Sequence, residues 1–180
     1  MRMSIIAVIA SVCAASLAAP SWEGPKPAPL TSVSTVDLKR YIGRWYEIAR
    51  YPNRFQRECA SDTTAEYELK PNGKVAVVNT CRKSDGATKK ASGTAKVVDA
   101  SNARLKVTFF WPFYGDYWII GLDLEYRWAV VGEPGRKYLW ILSRTPNMPE
   151  ADYQQALKQA RAAGYDPHRL LKTPQSGGLK

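Results

Sequence analysis

The stretch Gly43-Arg44-Trp45-Tyr46-Glu47-Ile48-Ala49-Arg50 decides the fold, read together with Arg144-Thr145-Pro146 far downstream. A glycine just before a strand lets the chain turn tightly, an indole fills a narrow barrel floor, and a distant guanidinium stacks on that indole as a cation–π lid. Between these landmarks, β-branched, aromatic or alternating runs recur at 43–51, 62–70, 74–82, 91–99, 103–111, 116–123, 126–132 and 137–144. Turn chemistry separates them: Pro71-Asn72-Gly73, Gly132-Glu133-Pro134-Gly135 and the polar break Asp99 to Asn102. Regular spacing without intervening helices predicts an all-β, up-and-down antiparallel meander closed as an eight-stranded barrel able to hold one small ligand. A helix over Pro149 to Ala163 follows, with Gly164 as its cap and Tyr153, Leu157 and Ala160 on the face that packs outside the barrel.

Ahead of the barrel, Met1-Arg2, the apolar run Ile5 to Val12 and small residues to Ala19 read as a secretory signal, with cleavage expected after Ala18. Cys13 raises the rival idea of a lipid anchor, but the residue before it is Val12 and not a small one, so soluble export is the expectation. Residues 19–35 are rich in Pro, Ser and Ala and read as a flexible lead-in. The barrel and helix take 36–174, and 175–180 form a flexible tail. Signal removal takes only Arg2 from a formal net charge of +10. Such a balance suits a solvated surface, nucleic acid or an anionic membrane, and the position of the charges decides between them. The two mature cysteines, Cys59 and Cys81, flank the Pro-Asn-Gly hairpin, and an even number in an exported chain suggests one disulfide, with two buried thiols as the alternative.

Gly43-Arg44-Trp45-Tyr46-Glu47, Leu122-Asp123-Leu124-Glu125-Tyr126 and Leu142-Ser143-Arg144-Thr145-Pro146 resemble the three sequence blocks of the lipocalins. More closely, Trp45 to Arg50, Ala65 to Leu69, Pro112-Phe113-Tyr114-Gly115 and Tyr138 to Arg144 are similar to the bacterial lipocalins, relatives of apolipoprotein D. The resemblance covers 36–174. It implies a cavity for small hydrophobic molecules such as fatty acids or lysophospholipids, no cofactor, and dimers in some members. Several bacterial members carry a lipoprotein cysteine; this chain shows no well-formed one. Periplasmic export with an outer-membrane association is the expected location.

Charged residues mark the outward parity of each strand and their neighbours the inward one. This sends Ala65, Tyr67, Ala95, Val107, Phe109 and Trp128 inward, and counting from Trp45 and Arg144 adds Ala49, Trp140 and Tyr138. The family's alternation implies Val77, Asn79, Tyr117 and Ile119. A filled core is the plain reading of this stripe; the small residues and the resemblance favour a pocket. Glu47 shares the inward parity, where a lone carboxylate is costly, so an ion pair or polar network near the floor is expected ahead of ligand contact.

With Trp45 and Arg144 at the floor, alternate loops form the mouth. They carry Arg54, Phe55, Arg57, Lys83, Lys89, Lys90, Trp111 and Phe113, a composition suited to an anionic lipid headgroup or membrane surface, with ordinary solvated loops as the alternative. Phe55 completes the expected ligand contacts. Nucleic acid is disfavoured because the aromatics flank a cavity instead of forming a stacking platform. Catalysis has little to rest on: the single histidine, His168, lies beyond the helix, and paired cysteines leave no thiol nucleophile or metal ligands. The expectation is an exported, non-catalytic lipid carrier. A lipid- or carotenoid-modifying enzyme and an envelope interaction module are the alternatives.

Overall fold

The computed structural model describes residues 28–176; the expected signal, Cys13, the start of the lead-in and residues 177–180 lie outside the described residues. After a short helix α1 (Leu38–Tyr41), the chain runs through β1 (Gly43–Arg50), β2 (Cys59–Leu69), β3 (Val75–Lys83), β4 (Thr88–Val97), β5 (Arg104–Phe110), β6 (Phe113–Leu122), β7 (Trp128–Gly132) and β8 (Leu139–Ser143). Each strand pairs with the next and β8 returns to β1, which closes the barrel. Helix α2 (Glu150–Ala162) and a short β9 (Leu171–Lys172) complete it.

Gly43 sits at φ +93°, a conformation only glycine enters without strain, and it swings the chain from α1 into β1. Asp37 starts α1 by accepting the amide proton of Lys39 at 2.8 Å. Two apolar cores follow from the strand alternation. The inner one fills the barrel with Trp45, Tyr67, Val75, Val77, Leu105, Ile119, Val131 and Leu142. The outer one lies between the barrel wall and α2, where Tyr153, Ala156, Leu157 and Ala160 meet Ile120, Val130, Leu139 and Ile141.

Two residues expected inside belong to that outer core. Ala49 and Trp128 pack under α2, not in the lumen. For Ala49 the reason is a bulge: register slips between Glu47 and Ala49, so one extra residue turns the later part of β1 over. For Trp128 it is Tyr126, whose φ of +59° resets the alternation after Arg127, so that Ala129 and Val131 face inward instead.

The lead-in is docked where described: Leu30 is buried, and the Val33 amide donates to the Ile119 carbonyl at 2.9 Å. Residues 175–176, expected to be flexible, are also held. The Gln175 side-chain amide donates to the carbonyls of Glu47 and Thr63, and the Ser176 amide to the Asp62 carboxylate. In both segments a few well-placed side chains outweigh a composition poor in apolar residues.

Candidate functional site

Registered neighbours across the sheet share a face, which fixes the lumen wall. Trp45, Ala65, Asn79 and Ala91 form one row across β1 to β4, and Val75, Ala95 and Val107 another across β3 to β5. Tyr117 stands opposite Leu105, and Ile119 and Trp140 both face Val131. The expected lining residues Ala65, Tyr67, Val77, Asn79, Ala95, Val107, Phe109, Tyr117, Ile119 and Trp140 therefore point into the barrel.

The floor half is filled. The guanidinium carbon of Arg144 lies 3.9 Å from the centre of the fully buried Trp45 ring, and the indole N–H donates to the Tyr41 carbonyl at 2.8 Å. Above it, the Tyr117 hydroxyl bonds those of Tyr41 and Tyr67 at 2.8 and 2.9 Å. Burial pushes the Tyr67 phenol up to about 12 and those of Tyr41 and Tyr117 well above their usual value, so all three stay neutral. The void left beside them, between Leu38, Tyr41, Tyr67 and Leu105, is ≈ 10 Å³, the size of one water.

The mouth half is a cup whose lining is only partly buried: Ala65, Asn79, Val107, Phe109, Tyr138 and Trp140. Small residues hollow one wall. Phe109 folds against Gly93, where a Cβ would come within 2.8 Å of the ring. The Asn79 side-chain carbonyl oxygen is buried without a partner among the described residues. At the rim Phe55 packs on Tyr138 with ring centres 5.2 Å apart, and Tyr138 stacks on Trp140.

Glu47 anchors the polar network anticipated for it, but on the mouth side. The bulge that moves Ala49 out brings Arg50 to the same side as Glu47, and the pair meets at 3.2 Å. Thr173 and Gln56 donate to the two carboxylate oxygens at 2.6 Å each, and the Trp140 indole N–H donates to Gln56 Oε1 at 3.1 Å. Burial raises the Glu47 pKa, against the opposing pull of Thr173, Gln56 and Arg50. Gln56 and Tyr41 carry no signal in the sequence that singles them out, and Arg50 appears there only as the end of a longer motif.

Cys59 and Cys81 form a disulfide at the mouth end of β2 and β3. The expected mouth cations divide: Lys89 holds Glu58 at 2.7 Å and Lys83 holds Asp85 at 3.1 Å. Arg54, Arg57 and Lys90 make no ion pair among the described residues. The β5–β6 hairpin tip carries a cluster of exposed aromatics, with Phe110 and Trp111 each 82% and Phe113 78% exposed. Phe110 went unnoticed in the sequence because it ends an ordinary-looking strand. His168 is exposed, and Asp123 is a turn residue clasped by Arg127 at 3.0 Å.

Comparison with known proteins agrees with this geometry. Residues 36–175 match the family described as a lipocalin-like domain. The chain is 43% identical to the outer membrane lipoprotein Blc of Citrobacter freundii over 97% of this chain and 99% of that protein. It is 31% identical to apolipoprotein D of Mus musculus over 85% and 84%. Among solved structures, insecticyanin from the tobacco hornworm Manduca sexta superposes with a TM-score of 0.67 at 20% identity, covering 84% of this chain and 87% of that one.

Proposed function

The chain belongs to the lipocalin family, and we propose that it is an exported carrier that holds a fatty acid or lysophospholipid in its barrel, serving lipid transport or maintenance in the cell envelope. The observation that carries this reading is the half-filled lumen: a packed aromatic floor below a cup whose apolar and aromatic lining is only partly buried. An acyl chain entering the cup leaves water, at about 0.8 kcal/mol for each methylene buried. The similarity to an outer membrane lipoprotein supports export and envelope association.

The role is binding without turnover. The single histidine is exposed on a turn beyond α2, and the buried carboxylate beside the cup, Glu47, is committed to Arg50, Thr173 and Gln56. At the rim, Arg54, Arg57 and Lys90 meet the anionic headgroup, and the exposed Phe110, Trp111 and Phe113 rest on the membrane surface that supplies it.

Native mass spectrometry of protein purified from its own host, followed by lipid extraction, tests the reading. A co-purifying single-chain lipid is expected. It is displaced in an Ala65→Phe variant, because the larger ring occupies the cup at every salt concentration. A correctly folded Ala65→Phe protein that binds long acyl chains normally refutes the placement of the ligand.

A further inference from the structure

The barrel wall has one seam that is not closed by its own strands. β1 and β2 pair only between Gly43–Tyr46 and Thr64–Tyr67. Beyond Tyr46 they part, and residues 171–176 lie between them. β9 pairs with Ala49 and Arg50 on the β1 side, and the Thr173 amide donates to the Ile48 carbonyl at 2.9 Å. On the β2 side the Asp62 amide donates to the Pro174 carbonyl at 2.8 Å. Gln175 bridges both strands, donating to Glu47 on one and Thr63 on the other.

This closure is almost entirely polar. Thr173 is buried, but Leu171 is 49% exposed, and Lys172, Pro174 and Ser176 also face solvent. Segments held by polar contacts with little apolar burial open locally at a fraction of the global unfolding free energy, because the groups they release regain water. The strands on either side are independently secured. Below the slot β1 and β2 are laddered together, and above it the Cys59–Cys81 bond pins β2 to β3. The strap can leave without unravelling the barrel.

Its release reaches the lumen. Thr173 donates to Glu47, Glu47 holds Gln56, and Gln56 holds the indole of Trp140 in the cup. We propose that residues 171–176 are a releasable strap over a lateral slot between β1 and β2, and that its opening admits and discharges the acyl chain sideways through the wall. The outer latch is Asp62, fully buried at φ +53°, whose carboxylate accepts from the Ser176 amide and hydroxyl, from Ser61 and from Arg82. The proposal rests on the carrier reading for its cargo, but the strap's motion stands apart from it.

Two measurements separate these. Ala49 and Lys172 are registered partners outside the lumen, so an Ala49→Cys, Lys172→Cys variant tethers the strap to β1 while the native disulfide stays intact. Stopped-flow exchange of the fluorescent fatty acid cis-parinaric acid is compared with a Lys172→Ser control. We expect the tether to slow uptake and release by about tenfold or more with Kd unchanged, and Gln175→Ala with Ser176→Ala to speed both. Rates within twofold of the control overturn the lateral route. In untethered protein, hydrogen exchange at the Thr173 and Asp62 amides should be far faster than in the Gly43–Tyr46 ladder. Equal protection overturns the strap itself, whether or not the fatty acid binds. Failure of the unmodified protein to bind any lipid, with those amides exchanging fast, refutes the carrier reading and leaves the strap standing.

Discussion

Replacing Arg144 with alanine removes the floor's clamp, and its cost can be worked from the contacts. The guanidinium stacks 3.9 Å from the Trp45 ring centre and donates to the carbonyls of Arg40, Tyr41, Ile42 and Arg44, all within 3.1 Å. The stacking contributes about 1 kcal/mol at a half-buried site. The Arg40 and Arg44 carbonyls lie at the solvent edge and recover water, whereas those of Tyr41 and Ile42 are partly buried, and each bond lost there costs about 1–1.5 kcal/mol. The expected loss is about 3–4 kcal/mol, or about 10 °C in Tm for a domain of this size. Arg144→Lys should recover only part of it, because an ammonium lacks the planar fork that reaches several carbonyls at once. Urea unfolding gives the stability, and fatty-acid titration of the folded protein gives the affinity, which should hold because the cup lies at the other end. A variant that loses under about 1 kcal/mol, or that keeps its stability and loses binding, shows that Arg144 is not the structural clamp.

Cys59→Ser with Cys81→Ser should cost about 3 kcal/mol, from the sequence separation of 22 residues that the bond closes, measured by denaturant unfolding of both proteins under oxidising conditions. Burial raises the Asp62 pKa, but the bonds from Ser176, Ser61 and Arg82 outweigh it and leave the carboxyl below its usual 3.8. Its contribution is therefore full above 3.8 and is lost as pH falls through the lower folded value, so an acid titration of stability should be steeper in wild type than in Asp62→Asn. Equal slopes exclude Asp62 as the source. Trp111→Ser with Phe113→Ser should reduce co-sedimentation with anionic vesicles at all salt concentrations, whereas neutralising Arg54, Arg57 and Lys90 should flatten its salt dependence. Unchanged sedimentation in both variants places the mouth away from the membrane.

The strands, their order and the outer helix were legible because turn residues and alternation repeat along the chain. Side-chain direction was legible only where alternation ran unbroken. From Ala65 to Asn79, from Leu105 to Phe109 and from Tyr117 to Ile119 the parity leads inward as the pattern implies, although β5 and β6 shift register between Val107 and Phe110 and β6 slips again directly after Ile119. At Ala49 and Trp128 it failed, since a bulge and a left-handed tyrosine each add half a period that no hydrophobic count registers. Gln56 was hidden for a different reason. Its meaning comes from Glu47 and Trp140, which approach it only after the barrel has closed. The docking of the lead-in and tail was obscured likewise, because Leu30 and Gln175 act singly within stretches whose average composition is polar.

The seam's filling also constrains the order of events during synthesis. Arg144 grips a carbonyl 102 positions behind it, and Thr173 meets a carboxylate 126 positions behind it. Pairings of such long sequence separation form slowly, because the intervening chain must be confined before they repay its lost entropy. A nascent chain can assemble the β2 to β6 meander before the residues that complete its wall have been synthesised. Until Thr173 and Gln175 reach β1 and β2, the side wall of the lumen stays parted there and its apolar lining is exposed along one side.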